Sequence, residues 1–181
     1  KSHPNEDSIK KWLQSIESKV KLTYNPKVAG FIDYFTRKNR TYTQLMIQRR
    51  NLYFSLFEDQ LAKYNLPDEL KYLSIVESGL NPKAISRAKA SGLWQFMPGT
   101  GKIFKLQQDH YIDERMDPIK STEAACLYLR QLYTMFNDWE LAIAAYNCGP
   151  GVIKKAQKKS TKKGFWDIYS KLPRETRSYL P

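Results

Sequence analysis

A single carboxylate stands where the sequence pattern calls for an apolar side chain. Leu66, Leu70 and Leu73 are followed by Glu77 at spacings of four, three and four residues, which places all four on one helical face. Apolar surroundings disfavour the charged form of a carboxyl group and raise its pKa. A group of this kind can donate a proton near neutral pH, as a general acid must. The alternative is a Glu at a helix end, half exposed and hydrogen bonded to a neighbouring backbone group.

The stretch after Glu77 has the composition of a ligand cleft. Residues 78–108 contain no Asp or Glu, so Glu77 would be the nearest carboxylate to anything bound there. Binding sites combine apolar walls with a few placed polar groups. Polar side chains that could bind a sugar are Ser78, Asn81, Ser86, Ser91 and Gln95, and apolar walls could come from Trp94, Phe96 and Met97. The three apolar residues could equally belong to the core, and Gln95 could be the partner of a helix cap.

Helical periodicity runs along almost the whole chain and predicts an all-α fold. Apolar residues recur at spacings of three and four, and strand-like alternation is weak. Gly79 is placed to end the helix that carries Glu77, and Asn137 to join two antiparallel helices. Loops and short turns are expected over 79–101. Helices are predicted over 6–20, from Pro26, and over 42–64, 67–78, 118–136, 138–147, 151–159 and 164–171.

Length and composition indicate a folded, basic protein. The 181 residues, 41% hydrophobic and 13% aromatic, suffice for one domain or one domain with an extension, and they exclude a mainly disordered chain. The longest apolar runs cover only a few residues, so no transmembrane helix is expected. Lys and Arg outnumber Asp and Glu by 30 to 18, a net charge of +12. A polyanion is therefore an expected partner, although a basic surface can also serve solubility alone.

The basic residues are concentrated near the end of the chain. Residues 152–181 contain nine of them against two acids, Asp167 and Glu175. Charge alone does not distinguish nucleic acid, an anionic membrane face and an anionic cell-wall polymer. Because neither an RRM-like aromatic motif nor zinc-finger spacing accompanies these charges, no nucleic acid partner is predicted. Two cysteines and two histidines are too few for a metal cluster, and no metal or cofactor is predicted.

Four short motifs resemble, in order along the chain, those of one enzyme family. They are residues 77–82 (ESGLNP), 91–100 (SGLWQFMPGT), 145–149 (AYNCG) and 175–179 (ETRSY). Each alone is a weak signal, but together, in this order and at this spacing, they resemble the family 1 lytic transglycosylases. The resemblance runs from about residue 25 to the end. Two departures, Trp94 where Met is frequent and Cys148 in a variable place, leave the chemistry intact.

The resemblance implies a fold, a reaction and a location. The fold is a lysozyme-like α-helical catalytic domain over 64–181, with an N-terminal helical extension over 1–63 packed on it. The reaction is cleavage of the β-1,4 bond between N-acetylmuramic acid and N-acetylglucosamine in peptidoglycan strands. It leaves 1,6-anhydro-muramic acid ends without net addition of water. A periplasmic monomer is implied, and association with the outer membrane would rest on a segment outside these 181 residues.

The functional residues of the family transfer to matching positions. Glu77 is the implied catalytic acid and base, and Tyr146 with Asn147 matches the pair that faces it. The other implied substrate-binding residues are Ser78, Ser86, Gln95, Met97 and Glu175. Without the resemblance, Tyr146 could be a buried core tyrosine and Asn147 a helix cap. Glu175 could pair with a neighbouring arginine, Arg174 or Arg177, or with a helix N-terminus.

One carboxylate suffices for the implied reaction, whereas ordinary glycosidases use two that flank the bond. Glu77 would protonate the glycosidic oxygen while the 2-acetamido group of the substrate attacks the anomeric carbon. Ionised Glu77 would then remove the proton of the C6 hydroxyl, which closes the anhydro ring. A hydrolase that uses water would need a second carboxylate, for which Asp109, Asp113 and Glu114 are candidates. A third interpretation is a non-catalytic wall-binding module, against which the intact motifs argue.

Two cysteines lie symmetrically about the predicted turn at Asn137. Cys126 and Cys148 are each eleven residues away from it, so two antiparallel helices could bring them together. An oxidising periplasm permits a disulfide. Free cysteine is also a common small core residue, and the sequence leaves both outcomes open.

Overall fold

The computed structural model describes residues 5–16 and 19–181, and these residues form a helical protein. The α-helices are α1 (Glu6–Ile16), α2 (Pro26–Asp33), α3 (Arg40–Lys63), α4 (Leu73–Ser78), α5 (Pro98–Ile103), α6 (Pro118–Phe136), α7 (Trp139–Cys148), α8 (Pro150–Lys158), α9 (Phe165–Ile168) and α10 (Arg174–Arg177). A π turn lies at Tyr34–Lys38, and 3-10 turns lie at Asp68–Tyr72, Glu114–Met116 and Tyr169–Lys171. Across these ranges β structure is limited to isolated bridges, so the all-α prediction is confirmed. Within the same ranges, no helix has both the length and the apolar character needed to cross a bilayer.

Three predicted helices differ from the observed ones, and α5 begins at Pro98, inside the stretch 79–101 where loops and turns were expected. The last of the three, predicted over 164–171, is α9 followed by the 3-10 turn Tyr169–Lys171. The first ends at Ile16, and residues 17–18 of its predicted span lie outside the described residues. The stretch 67–78 is predicted as one α-helix but consists of the 3-10 turn Asp68–Tyr72 followed by α4. The ammonium group of Lys71 contacts the carboxylates of both Asp68 and Glu58, which ties this tighter turn to α3. The three leucines before Glu77 remain buried despite the change of helix type.

The core lies between α3 and the antiparallel pair α6 and α7. Phe57 and Leu61 of α3 belong to the same buried cluster as Trp94 and Leu129. A second cluster joins α7 to α8 and α9, with Ala145 of α7 among its members. α3 ends at Lys63, and part of it lies in the shared core. The predicted division of the chain at that residue stays a prediction.

Residues with a left-handed backbone end α4 and α6, the two helices whose ends matter most for the site. Gly79 follows α4 with φ of 59°, and Asn137 follows α6 with φ of 49°. Gly and Asn tolerate this left-handed conformation better than other residues, and both stops are as predicted. The side chain of Asp138 then accepts the backbone N–H of Leu141 and starts α7.

Gly92 fixes the loop that follows α4. Its φ is 83°, and a Cβ atom at this position would lie 1.8 Å from the carbonyl oxygen of Arg115. Only glycine fits so close an approach of two backbones. The guanidinium group of Arg115 also donates to the carbonyls of Lys89 and Phe96, so the loop is held against the 3-10 turn Glu114–Met116.

Cys126 and Cys148 are both free thiols, so no disulfide joins α6 and α7. Cys126 is fully buried in the core cluster with Phe57, and burial raises the pKa of its thiol to about 12. Cys148 donates to the carbonyl of Ala144 within its own helix. Equal distance from the turn therefore does not bring the two side chains into bonding contact.

Candidate active site

Glu77 lies in the last turn of α4, and a residue near the end of the chain contacts its carboxyl group. The side chain of Glu77 is half-buried. The hydroxyl of Tyr179, which follows α10, donates to Glu77 Oε1 at 2.5 Å. Two segments that are 102 residues apart in sequence thus meet at one carboxylate.

The acidity of Glu77 is set by opposing influences. Burial raises the pKa of Glu77 from 4.5 to about 7, the negative charge of Glu175 contributes to the rise, and the hydrogen bond from Tyr179 opposes it. Near neutral pH the carboxyl group is therefore divided between the acid and its conjugate base, as a group that donates and then accepts a proton requires. The raised pKa agrees with the prediction from the apolar stripe.

The charge of Glu77 acts on the hydroxyl groups of two tyrosines. Burial raises the pKa values of Tyr146 and Tyr179 well above the ordinary value, and the charge of Glu77 raises them further. Both phenols therefore stay protonated and act as hydrogen-bond donors. Tyr146 donates to the carbonyl of Trp94 at 2.9 Å, and Tyr179 donates to Glu77 itself. Sequence reasoning missed Tyr179 as a site residue, and its only signal was its place in the motif 175–179.

The end of α4 and the loop that follows it carry three of the predicted binding residues. Ser78 Oγ lies 2.9 Å from the carbonyl oxygen of Leu93, to which it donates. The side-chain amide of Gln95, a residue with φ of 49°, donates to the carbonyls of Ala84 and Gly92 at 3.1 and 2.9 Å. Met97 precedes α5 and is 44% exposed. Ser78 and Gln95 thus hold the shape of the loop, and Met97 presents an apolar side chain to solvent.

The remaining predicted residues lie in the same loop and at the junction of α7 and α10. Ser86 Oγ accepts the N–H of Ala90 at 3.0 Å. Asn147 Oδ1 accepts the hydroxyl of Thr176 at 2.8 Å, which ties the end of α7 to α10. Glu175 is exposed, and within the described ranges it forms no ion pair with an arginine. It lies in the first turn of α10, where the alternative of a helix N-terminus placed it. Its charge also acts on Glu77.

Two of the three expected apolar walls belong to the core. Trp94 is 0% exposed and Phe96 is 2% exposed, and the indole N–H of Trp94 donates to the buried hydroxyl of Thr122. Cleft walls and cores use the same apolar residue types, so composition did not separate them. Of the three, only Met97 can line an open cleft.

The carboxylates considered for a hydrolase are engaged with other partners. Asp113 pairs with Arg115 at 2.7 Å, and Glu114 pairs with Lys120. Asp109 accepts the side-chain amide of Gln107 and two backbone N–H groups of its own turn. These contacts hold the pKa values of all three below their ordinary values. The carboxylate whose charge influences Glu77 is Glu175, which was not among those candidates.

The sequence matches a known family over most of this architecture. The Transglycosylase SLT domain family matches residues 55–169, which is more than half of the chain. The chain therefore belongs to this family, as its four motifs predicted.

Individual relatives agree with this assignment. The chain is 40% identical over 149 residues to membrane-bound lytic murein transglycosylase D of Escherichia coli (strain K12), a match that covers 80% of this chain and 32% of that protein. The fold is similar to the 70-kDa soluble lytic transglycosylase SLT70 from Escherichia coli, with a TM-score of 0.60 and 30% identity over 70% of this chain and 22% of that one. The fold is also similar to that in the complex of the 70-kDa soluble lytic transglycosylase with bulgecin A. The TM-score is 0.65, and the sequences are 27% identical over 78% of this chain and 24% of that one. The lysozyme-like helical fold is thus confirmed, and the chain spans about a third of the length of the curated relative.

Proposed function

We propose that this protein is a lytic transglycosylase that cleaves peptidoglycan strands between N-acetylmuramic acid and N-acetylglucosamine. The observation that carries the proposal is Glu77, a half-buried carboxyl group with a pKa of about 7 and a hydrogen bond from Tyr179. Membership of the SLT domain family and similarity to lytic murein transglycosylases support the substrate class. The protein then acts in the periplasm, where this polymer lies.

In the first step Glu77 acts as a general acid. Its protonated carboxyl group gives a proton to the glycosidic oxygen as the bond from that oxygen to the anomeric carbon breaks. The carbonyl oxygen of the substrate's 2-acetamido group forms a new bond to the same carbon, giving an oxazolinium ion and releasing the other strand as an alcohol. The bond from Tyr179 stabilises the carboxylate that this step leaves behind.

In the second step the same group acts as a base. Ionised Glu77 removes the proton of the C6 hydroxyl, whose oxygen attacks the anomeric carbon and displaces the acetamido oxygen. The 1,6-anhydro ring closes, and Glu77 regains the proton that it gave away. Because both reacting groups belong to one sugar, the attack is intramolecular and has a high effective molarity. No water is consumed, so a single carboxylate with a pKa near 7 supplies both proton transfers.

The neighbouring residues bind and orient the strand. Met97 provides exposed apolar surface for a sugar face, and the loop held by Ser78 and Gln95 presents backbone groups and Ser86 to the acetamido side. Tyr146 and Asn147 fix the wall opposite α4 through their bonds to Trp94 and Thr176. We assign these residues, with Glu175, to substrate binding.

A hydrolase that adds water is the second candidate, and Glu175 is the observation that favours it. This carboxylate is exposed, and its charge reaches Glu77. A carboxylate on the far side of the anomeric carbon could accept a proton from an attacking water, as in inverting glycosidases. The two candidates differ in their product, since a hydrolase leaves reducing ends and a transglycosylase leaves anhydro ends.

Mass spectrometry of digested peptidoglycan tests the proposal. Wild-type protein should release fragments that end in 1,6-anhydro-muramic acid, each lighter by one water than a hydrolysis product. Glu77→Gln keeps the shape of the side chain but cannot donate a proton, and we expect a loss of roughly 10³-fold or more in rate. Glu175→Gln is the matched control, because it neutralises the adjacent carboxylate and should still give anhydro ends.

Two results would overturn the assignment. Reducing ends that disappear in Glu175→Gln would establish the hydrolase with two carboxylates. Cleavage by Glu77→Gln at the wild-type rate would remove Glu77 from the chemistry altogether.

A further inference from the structure

Two side chains of α3 hydrogen bond to the backbone of the helix that carries Glu77. The hydroxyl of Tyr42 donates to the carbonyl oxygen of Ile75 at 3.1 Å. The guanidinium group of Arg49 donates through Nη1 to the carbonyl oxygen of Gly79 at 2.8 Å. The two acceptors lie two residues before and two residues after Glu77. The Ile75 carbonyl also accepts the backbone N–H of Gly79, whereas the Gly79 carbonyl lies just past the last residue of α4.

Close packing accompanies these two bonds. A Cβ atom at Gly79 would lie 3.1 Å from the hydroxyl oxygen of Tyr42 and 3.5 Å from the terminal methyl carbon of Met46. Met46 is 4% exposed, although it belongs to neither of the two buried clusters. The end of α4 is therefore in contact with α3 on the side where Tyr42, Met46 and Arg49 lie.

The contacting residues fall outside the segment that defines the family. The SLT domain matches residues 55–169, whereas Tyr42 and Arg49 belong to the preceding part of the chain. Arg49 is half-buried, and its contact with α4 is a bond to a neutral carbonyl group. Its contribution to Glu77 is therefore one of position rather than of charge. The titratable groups that act on Glu77 are Tyr179, through its hydrogen bond, and Glu175, through its charge.

We propose that Arg49 and Tyr42 are positioning residues, which hold the end of α4 so that the Glu77 carboxyl group stays at reacting distance from the glycosidic oxygen. The proposal rests on the function proposed above. A reacting group displaced by about 1 Å loses on the order of 10²-fold in rate, because near-attack geometry is lost. α3, which precedes the predicted catalytic domain, would thus support catalysis by holding the end of α4 in place.

Steady-state kinetics of Arg49→Met tests the proposal. Met fills the space of the arginine stem without its donors, and we expect kcat to fall by about tenfold or more while KM changes by less than about twofold. Arg49→Lys keeps one donor at this site and should recover part of the loss. Arg50→Met is the matched control, because Arg50 is the exposed neighbour on the same helix and should retain wild-type kcat. Tyr42→Phe removes the second bond alone and should lower kcat in the same direction.

A carboxyl titration separates positioning from loss of fold. Burial is the largest cause of the high pKa of Glu77, so a released α4 that admits water should lower that pKa. Carbon-13 NMR of carboxyl-labelled glutamate should therefore show Glu77 titrating at lower pH in Arg49→Met than in wild type. A purely structural role would lower the melting temperature and the folded fraction without moving this titration.

The outcomes remain distinct from those of the proposed function. If wild-type protein gave no anhydro ends, the proposed function would fail, and the NMR titration would still test the contact of α3 with Glu77. Unchanged kcat and an unchanged Glu77 titration in both Arg49→Met and Tyr42→Phe would refute the positioning role. Should Arg49→Met fail to fold, Arg49→Lys and Tyr42→Phe decide by the same two measurements.

Discussion

The pocket around Glu77 and the lysine surface near the end of the chain hold their charges in opposite ways. We define the lysine surface by seven exposed residues, Lys154, Lys155, Lys158, Lys159, Lys162, Lys163 and Lys171. Glu77 is half-buried, and burial raises its pKa. The lysines stand in solvent on and after α8, whose apolar residues Ile153 and Ala156 face the core. Because Glu77 is half-buried, each neighbouring group changes its pKa. The seven lysines are exposed, so only their combined charge matters to an approaching anion.

Ion pairing divides the described chain in the same way. Over residues 5–16 and 19–181, the ion pairs all lie at or before Glu123, and no member of the lysine surface has an acidic partner. Lys163 and Lys171 donate to backbone carbonyls instead. The electric field of a lysine without an acidic partner is not cancelled by a neighbour, so it can attract a distant anion. The pocket thus suits the proposed proton transfer, and the lysine surface suits attraction of an anion.

Replacing the buried carboxylate should stabilise the protein at alkaline pH. The folded carboxyl group keeps its proton up to about pH 7, whereas an unfolded one loses it near 4.5. Between these values the folded state binds more protons, so stability falls as pH rises, by up to about 3 kcal/mol in total. We therefore expect Glu77→Gln to have a higher free energy of unfolding in urea at pH 8 than wild type, and nearly the same at pH 4.

A carboxylate on the exposed side of α3 provides the control for this measurement. Asp59→Asn removes one negative charge from a solvated position and should not change the difference between the two pH values. If Glu77→Gln showed no gain at pH 8, Glu77 would be as well solvated in the folded protein as in the unfolded chain. The contrast between the pocket and the lysine surface would then disappear.

Removing the hydroxyl of Tyr179 should change both the rate and its pH dependence. Tyr179→Phe keeps the ring but removes the bond to Glu77 Oε1. A hydrogen bond to a charged group contributes about 1.5–3 kcal/mol, so kcat should fall by roughly tenfold to a hundredfold. Because this bond lowers the pKa of Glu77, its loss should raise that pKa. The alkaline limb of kcat/KM, where the acid form is lost, should move to higher pH.

Another tyrosine outside the pocket tests whether this effect is specific. Tyr133→Phe alters a ring that stacks on Trp139 between α6 and α7 and should leave both kcat and the alkaline limb unchanged. A Tyr179→Phe variant with wild-type kcat and an unmoved limb would contradict the assigned bond.

Local chemistry made much of the fold predictable from the sequence. Gly79 and Asn137 adopt the left-handed backbone that their residue types favour, and α6 begins at Pro118 after the capping residue Asp117, where its start was predicted. The position of Glu77 was readable because three leucines define the face on which it lies. The 3-10 turn at Asp68–Tyr72 was not, because a tighter turn preserves nearly the same three- and four-residue pattern.

Contacts between distant segments account for what the sequence did not reveal. Tyr179 reaches Glu77 across 102 residues, and no periodic pattern in the sequence marks Tyr179 as its partner. The burial of Trp94 depends on Thr122 and on Phe57, which lie on two separate helices. The side chains of Cys126 and Cys148 likewise find other neighbours, although their spacing about the turn is equal.

Neutralising part of the lysine surface should give the smallest effect, and one that depends on salt. Peptidoglycan carries peptide carboxylates, so the proposed substrate is anionic. In the triple variant Lys154→Gln, Lys155→Gln and Lys158→Gln, KM should rise about threefold at low ionic strength, with kcat unchanged, because exposed charges contribute little individually. The difference should vanish in about 0.5 M salt, where screening shortens the reach of exposed charges to a few ångströms.

An equal change of net charge elsewhere decides whether position matters. The matched variant carries Lys10→Gln, Lys38→Gln and Lys63→Gln, three lysines that pair with Glu6, Asp33 and Glu123. Because their field is already balanced by a neighbouring acid, their loss should raise KM less than loss of the unpaired three. Equal increases in both variants would mean that only the total charge of +12 attracts the substrate. The lysine surface would then be no more than a solubilising face, and α8 would have no special part in binding.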